Sequence, residues 1–160
     1  MLDGPSVAGA LKECGITHVT WLPDSELGAW EPALLAEPSL KLIRVCREGE
    51  AIAIAGGLHL GGCKPVIAMQ CTGFFEAGDA FRNFVHDLKL PLFFLIGVRS
   101  YYANQKKASS DSCPLFIEPI LQAWQLPYSL FDIRHTRADL VAAYQQAQSQ
   151  KQAAAVLIAE

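Results

Sequence analysis

The feature that most constrains the fold is a series of short, almost wholly apolar segments that alternate with helix-like segments. The clearest apolar segments read VIAMQ (66–70) and PLFFLIG (91–97). A strand without polar alternation is buried on both faces, which is typical of a parallel sheet covered by helices. The alternation therefore predicts an α/β fold.

The pattern predicts six strands with helices between them. Strands are predicted at 17–22, 40–46, 66–70, 91–97, 128–133 and 153–159. Helices are predicted at 5–14, 26–36, 48–61, from 72 or 73 to about 88, at 116–125 and at 137–149, with a long loop at 98–112. We expect a three-layer fold, in which a six-stranded, mostly parallel sheet carries helices on both faces. Because 160 residues suffice for one core, residues 1–160 are expected to form a single domain.

Composition excludes several classes of protein. The net charge is −3 and no basic block occurs, so nucleic acid is not an expected partner. The most apolar run, 90–98, is too short to span a bilayer. Five cysteines without a CxxC pair favour a reducing, cytoplasmic location over a disulfide framework. The histidines are isolated, and no metal site is expected in this chain.

Two acidic residues, Glu48 and Glu50, open the helix after the second predicted strand. Acids in a first helical turn can simply complement the helix dipole. However, ligands of parallel sheets bind beyond the carboxyl ends of the strands, and Glu48 is the first helical acid after such an end. The helix that follows, AIAIAGGLHLGG, consists mainly of small residues and indicates close packing. Cys71 also follows a strand, but no nearby base would activate it, so we expect it only to line the crevice.

Four segments resemble, in order and spacing, the pyrimidine-binding (PYR) domain of thiamine diphosphate enzymes. They are LPDS (22–25), REGEAIAIAGGLHLGGCKP (47–65), VIAMQCTG (66–73) and LPLFFLIGVR (90–99). More closely, the chain resembles the alpha subunit of sulfopyruvate decarboxylase and the matching half of phosphonopyruvate decarboxylase, over nearly its whole length. The resemblance implies a PYR-type thiamine diphosphate-binding fold. It also implies a carboxy-lyase subunit that decarboxylates a small anionic 2-oxo acid, such as 3-sulfopyruvate or 3-phosphonopyruvate.

The resemblance assigns the cofactor-activating glutamate to Glu48. In the family, this carboxyl group bonds to pyrimidine N1′ and favours the imino tautomer, which takes the proton from thiazolium C2. Gln70 matches a polar active-site residue at a strand end and is predicted to be catalytic together with Glu48. Thr72 and Gly73 match the small turn beside the pyrimidine and are predicted to bind the cofactor.

Other assignments concern the substrate. The turn after the first strand reaches the substrate in related decarboxylases, which points to Asp24 and Ser25. Arg99 follows a strand at the crevice edge and is a candidate to bind an anionic substrate, although it can equally be a surface arginine. Glu50 matches a variable position, and we interpret it as a helix-start acid or as a partner for Arg47.

The resemblance also implies partners. Full-length thiamine enzymes carry a second domain whose GDG and NN motifs hold Mg²⁺ and the diphosphate, and neither motif occurs in this sequence. The expected partner is therefore a beta-type subunit with that PP domain, which would supply most of the Mg²⁺ ligands; the alternative is that the sequence is a fragment of a longer chain. Self-association through the PYR domain is also expected.

The stretch CTGFFE (71–76) departs from the family pattern, since close relatives tend to have NSGxGN there. Phe75 and Glu76 add bulk and negative charge beside the cofactor. If Phe74 and Phe75 filled the pyrimidine slot, the chain would be a non-catalytic assembly or regulatory protein. A third hypothesis keeps thiamine chemistry but assigns carboligation or another 2-oxo acid substrate.

Overall fold

The computed structural model describes residues 2–160 and contains one sheet of six parallel strands. The strands are β1 (His18–Trp21), β2 (Lys41–Arg44), β3 (Pro65–Gln70), β4 (Phe93–Val98), β5 (Tyr128–Phe131) and β6 (Ala154–Ala159). Their order across the sheet is β2-β1-β3-β4-β6-β5. Every neighbouring pair is parallel. The predicted α/β architecture is confirmed.

The helices connect successive strands. They are α1 (Gly4–Glu13), α2 (Glu31–Ala36), α3 (Glu48–Leu60), α4 (Cys71–Glu76), α5 (Gly78–Phe81), α6 (Tyr101–Gln105), α7 (Cys113–Ala123) and α8 (Arg137–Gln150). A 3₁₀-helix at Gly28–Trp30 precedes α2, and a π-helix at Arg82–Asp87 follows α5. No helix within residues 2–160 combines the length and the hydropathy that a membrane span requires.

The sheet separates two apolar clusters. Helices α1, α2 and α8 contribute residues such as Leu11 and Leu34 to the cluster on one face. Helices α3, α4, α5 and α7 contribute residues such as Ile52 and Ile117 to the cluster on the other. All six residues of β4 are buried, and alternate ones belong to opposite clusters. This burial on both faces explains the unbroken apolar pattern of that strand.

The chain runs from β1 outward to β2 and then returns to place β3 on the other side of β1. The connections from β1 and β3 therefore leave in opposite directions. In parallel sheets a crevice forms at the carboxyl ends of two such strands. The fold thus places the residues after Trp21 and after Gln70 at the expected ligand-binding edge.

Several predicted boundaries were wrong. The segment 98–112 is not one loop, because it contains α6, and α7 begins at Cys113 instead of 116. Pro114 lies in the first turn of α7, where its missing N–H needs no partner. The helix predicted from 72 or 73 to about 88 is interrupted between α4 and α5, next to Gly78. Glycine weakens a helix because it has the most backbone freedom to lose.

The expectation that the cysteines form no disulfide is wrong for one pair. Cys71 and Cys113 form a disulfide that joins the first residues of α4 and α7. Cys14, Cys46 and Cys63 are free. The two bonded cysteines are 42 residues apart, and a spacing of that kind carries no pairing signal in a sequence without a cysteine framework.

Candidate active site

Glu48 is the first residue of α3 and is buried, with 8% of its surface exposed. The chain reaches it from β2 through a short turn, so the carboxyl group lies at the carboxyl edge of the sheet. Within residues 2–160 this carboxylate accepts no hydrogen bond from another side chain or from the backbone. The residue is mostly buried, but its carboxyl oxygens keep contact with solvent at this edge, so a bound molecule can reach them and supply a hydrogen-bond partner.

Gly73, in α4, lies against this carboxyl group. A Cβ atom on residue 73 would overlap with Oε1, Cγ and Cδ of Glu48. Only glycine allows the carboxyl group to occupy its observed position. The structure thus brings two of the predicted cofactor residues together. A carboxylate held at this edge without a protein partner fits the hydrogen-bonding group of an aminopyrimidine ring.

The other two predicted site residues at the end of β3, Gln70 and Thr72, lie within three residues of Gly73 in the chain. Gln70 ends β3 and is the N-terminal cap of α4, where it is half-buried. Thr72 is exposed in the first turn of α4. Gln70 is thus the last residue of the strand that borders the switch point, and Thr72 is the second residue after it.

The negative charge of Glu76 is compensated by Arg47. The Arg47 guanidinium donates to Glu76 Oε1, with Nε at 3.0 Å, and Gly49 N donates to Oε2 at 3.2 Å. The guanidinium holds the pKa of the Glu76 carboxyl below its usual range. Glu50 is a helix-start acid, because its Oε2 accepts from the backbone N–H of Cys46 and of Arg47. An acidic residue in CTGFFE therefore does not leave an uncompensated charge beside Glu48.

Phe74 lies in the core. It is 1% exposed, and its ring meets those of Phe81 and Phe94 edge-on, with centroids 5.3 and 6.0 Å away. Phe75 is half-buried and packs against the same apolar cluster. Edge-to-face aromatic pairs add to the stability of a core, so this position is well anchored.

The residues predicted to meet the substrate lie at the carboxyl ends of β1 and β4. Arg99 Nη1 donates to Ser25 Oγ at 3.4 Å, and the Arg99 side chain is 57% exposed. Asp24 has a structural role, because its Oδ1 accepts from the backbone N–H of Glu26 and of Leu27, both at 2.7 Å. Ser25 and Arg99 are thus together, and Asp24 shapes the turn that holds Ser25.

Sequence reasoning missed Glu26. Its half-buried carboxyl group lies over Gly97 in β4, where an added Cβ would be 2.7 Å from Glu26 Oε2. Burial, followed by the nearby negative charge of Asp24, raises the pKa of Glu26 to about 7. The available signal was the glycine that interrupts an otherwise apolar strand, since a strand glycine often marks the close approach of another group.

The connection after β4 is an ordered segment. Ser100 adopts a left-handed conformation, with φ of 60°, and turns the chain into α6. Tyr101 donates its hydroxyl to Glu118 at 2.9 Å, and Asn104 Nδ2 donates to the carbonyl of Asp111 at 2.7 Å. These bonds fix the segment against α7. Within residues 2–160 no group of three or more His, Cys, Asp or Glu side chains is placed to hold a metal ion.

No family model matches the chain. It is 27% identical over 125 residues to sulfopyruvate decarboxylase subunit alpha of Methanococcus maripaludis, which covers 77% of this chain and 73% of that protein. It is 26% identical to a phosphonopyruvate decarboxylase of Streptomyces viridochromogenes over 57% of this chain and 23% of that one. It spans 30% of the sulfopyruvate decarboxylase of Methanosarcina acetivorans, at 27% identity.

Solved structures share the fold. A thiamine diphosphate-dependent 4-hydroxybenzoylformate decarboxylase of Rhodococcus jostii matches 98% of this chain and 29% of its own length, with a TM-score of 0.71 and 15% identity. A benzoylformate decarboxylase of Polynucleobacter necessarius matches 96% of this chain and 32% of its own, with a TM-score of 0.63 and 16% identity. Together with the sequence relatives, they confirm the predicted resemblance: the chain has the fold of thiamine diphosphate-dependent decarboxylases and is related to the sulfopyruvate and phosphonopyruvate decarboxylases.

Proposed function

We propose that the chain is the alpha-type subunit of a thiamine diphosphate-dependent decarboxylase. Its substrate is a small anionic 2-oxo acid of the 3-sulfopyruvate or 3-phosphonopyruvate class. The observation that carries the proposal is the largely buried Glu48 side chain, held against Gly73 at the switch point of a parallel sheet with its carboxyl oxygens unpaired. The similarity to sulfopyruvate decarboxylase subunit alpha supports the reaction class.

Glu48, Thr72 and Gly73 are the residues of this chain that would hold the pyrimidine part of the cofactor. When bound, thiamine diphosphate supplies a nucleophilic carbon and an electron sink. The Glu48 carboxyl group would hydrogen-bond to pyrimidine N1′ of the bound cofactor and so would tune the acid–base state of the ring. Gly73 leaves the carboxyl group room to do so.

The substrate side is formed by Arg99 and Ser25, with Asp24 shaping the turn. An exposed guanidinium next to a hydroxyl group can bind a sulfonate or phosphonate through charge-assisted hydrogen bonds. Gln70, at the end of β3, contributes an uncharged amide to the same edge. This combination favours a 2-oxo acid whose side group carries a negative charge over one whose side group is apolar.

A beta-type subunit with a PP domain completes the enzyme and binds Mg²⁺ and the diphosphate. The word alpha in the name of the Methanococcus maripaludis relative supports a partner subunit. Ile54 and Leu60, on α3, are exposed apolar residues suited to burial in an assembly, either with that partner or between copies of this chain. Location in the cytoplasm and a single domain over 1–160 stay predictions.

The burial of Phe74 weighs against the non-catalytic alternative. That alternative requires Phe74 and Phe75 to fill the pyrimidine slot, whereas Phe74 packs against Phe81 and Phe94. The alternative of another 2-oxo acid is tested by the same assay as the main proposal.

The test is CO2 release by the purified complex of this chain with its PP-domain subunit. We expect turnover of 3-sulfopyruvate or 3-phosphonopyruvate that requires both subunits and thiamine diphosphate with Mg²⁺. Benzoylformate, a 2-oxo acid with an apolar phenyl side group, serves as the comparison substrate. Turnover of benzoylformate alone would refute the proposed substrate class, and absence of any turnover by the complete complex would refute the decarboxylase.

A further inference from the structure

A covalent cross-link ties two segments of the proposed site together. The disulfide between Cys71 and Cys113 joins the first residue of α4 to the first residue of α7. Helix α4 follows β3 directly, and α7 follows the connection after β4. Both cysteines are buried, with 1% and 6% of their surfaces exposed. The bond therefore lies in the interior, between the helix beside the proposed cofactor site and the connection that carries Arg99.

On the cofactor side, the bond is two residues from the contact between Gly73 and Glu48. Cys71 lies between Gln70, the last residue of β3, and Thr72 in α4. Because a Cβ atom on Gly73 would overlap with Oε1 of Glu48, the position of the first turn of α4 limits the space of the carboxyl group. The bond thus restrains the turn that adjoins the proposed cofactor-activating residue.

On the substrate side, polar contacts connect Cys113 to Arg99. The backbone N–H of Cys113 donates to Asp111 Oδ1 at 3.0 Å, and Asp111 Oδ2 lies 4.0 Å from Arg99 Nε. The carbonyl of Asp111 accepts from Asn104 Nδ2 at 2.7 Å, which fixes this residue against α6. Arg99 in turn donates to Ser25 Oγ. A movement of Cys113 therefore reaches the proposed substrate-binding guanidinium through one intervening residue.

The chain does not need this bond in order to form a core. Apolar clusters lie on both faces of the sheet, and a chain of 160 residues buries enough surface to fold without a staple. The other three cysteines are free, unlike those of a disulfide-dependent domain. A disulfide in a reducing compartment, the location that the sequence predicts, is usually transient and serves catalysis or redox sensing. Cys71 also belongs to CTGFFE, the stretch in which this chain departs from the family pattern.

We propose that the disulfide between Cys71 and Cys113 is a redox switch of the active site, an inference that rests on the proposed function. In the bonded form, α4 and the connection after β4 are tied together, so Glu48 and Arg99 keep their relative positions. Two thiols repel each other at the distance of a bond, so reduction separates the starts of α4 and α7. The guanidinium of Arg99 then loses its fixed position, and the affinity for the anionic substrate falls.

A dithiol is the reductant in this switch. One of its thiolates attacks a sulfur atom of the bond, which breaks the S–S bond and forms a mixed disulfide, and its second thiolate then releases the protein thiol and closes a cyclic disulfide. The two cysteines gain two electrons and two protons. Oxidation by a small disulfide, such as glutathione disulfide, reverses the change and releases two small thiols.

The reductant approaches from the side of Cys113. The residues just before it, Ser110 and Ser112, are exposed, and side-chain hydrogen bonds of Asn104 and Asp111 hold the segment closed. Because Cys113 itself is buried, thiol exchange requires this segment to open. We therefore expect reduction to be slower than that of an exposed disulfide.

The first test compares the complete complex after treatment with glutathione disulfide and after treatment with excess dithiothreitol. Alkylation and mass spectrometry should count three free thiols on this chain in the first state and five in the second. We expect reduction to raise KM for 3-sulfopyruvate about 5-fold or more, and reoxidation to restore it. Cys113→Ser should have the raised KM in both states, whereas Cys63→Ser should respond like the wild type. The wild-type comparison needs no substitution, so it is decisive even if Cys113→Ser fails to assemble.

A second measurement does not depend on turnover. Amide hydrogen exchange of the same complex should speed up on reduction in residues 71–76 and 100–113, but not in α1. Unchanged exchange in both segments, or five free thiols after oxidation, would overturn the inference. A response of Cys113→Ser equal to that of the wild type would overturn it too, because the response would then belong to other thiols. If both states release CO2 with the same KM, the inference is overturned and the proposed function stands, whereas a complex without CO2 release in either state would refute the proposed function itself.

Discussion

The carboxyl group of Glu48 occupies the space into which a side chain on Gly73 would project. Glu48 begins α3 and Gly73 lies in α4, so the contact joins the helices that follow β2 and β3. Local sequence does not require this contact, because an acid at a helix start and a glycine after a strand are each common on their own. Their contact at the switch point is what supports a role in cofactor binding.

Replacing Gly73 by alanine should therefore displace Glu48. We expect Gly73→Ala to change the free energy of unfolding by about 1 kcal/mol or less, because the overlapping atoms belong to the flexible Glu48 side chain, which can turn away. It should also weaken thiamine diphosphate binding by the complex, measured by calorimetry. For unfolding of the chain alone, Gly57→Ala is the matched control, because a Cβ there meets open space within α3 and should be neutral or slightly stabilising. Thiamine diphosphate binding as tight in Gly73→Ala as in the wild type would contradict the steric account.

Glu26 should make stability depend on pH in an unusual direction. Its pKa is about 7 in the folded chain against an ordinary value of 4.5. The folded state thus binds more protons than the unfolded state between these values, and stability falls as pH rises through that window. Glu26→Gln should match the wild type below about pH 4.5 and exceed it by about 1 to 3 kcal/mol at pH 8, after allowance for partial exposure. Urea unfolding at several pH values measures this difference, and a constant difference would refute the elevated pKa.

Arg99 should contribute to substrate affinity more than to turnover. Arg99→Ala is expected to raise KM for 3-sulfopyruvate about 10-fold or more, because a hydrogen bond to a charged group contributes about 1.5 to 3 kcal/mol. Arg99→Lys should recover part of the loss. Arg134→Ala provides the control, since Arg134 is 83% exposed and pairs with Asp132 after β5. Unchanged KM in Arg99→Ala would assign this residue to the surface.

The disulfide between Cys71 and Cys113 should contribute to stability in oxidising buffer. Cys113→Ser is expected to reduce the free energy of unfolding by about 2 to 4 kcal/mol there, because the bond restricts a long loop in the unfolded chain. The difference from the wild type should shrink when an excess of a dithiol is added. Cys63→Ser removes a free cysteine and should have little effect under either condition. A difference that persists in the dithiol would indicate lost packing instead of a lost bond.

The fold was largely predictable because its signal is long-range and repeated. Apolar strands such as β3 and β4 are buried on both faces, and this burial leaves an unbroken apolar pattern. Helix starts were harder to predict where proline or glycine altered the pattern, as at Pro114 and Gly78. Propensities act locally, whereas the observed boundaries also depend on packing against the sheet.

The candidate site was predictable only in part. Glu48, Gly73, Ser25 and Arg99 follow strands, and topology alone places them at one edge. Asp24, which is predicted to meet the substrate, also holds the backbone of its own turn through Oδ1, a role that the sequence did not indicate. Glu26 carries no motif, and its altered pKa arises from burial over Gly97 in a strand distant along the chain. Such an environment cannot be predicted from the local sequence.

The central claim is that Glu48 activates the cofactor, and the most direct measurement is the exchange of the C2 proton of thiamine diphosphate with deuterium. The complex with wild-type chain should exchange this proton far faster than the free cofactor does. Glu48→Gln should slow exchange by about 100-fold or more while the complex still assembles and binds the cofactor. Glu50→Gln, in the same helical turn, should exchange at nearly the wild-type rate. Equal exchange rates in Glu48→Gln and the wild type would contradict the account.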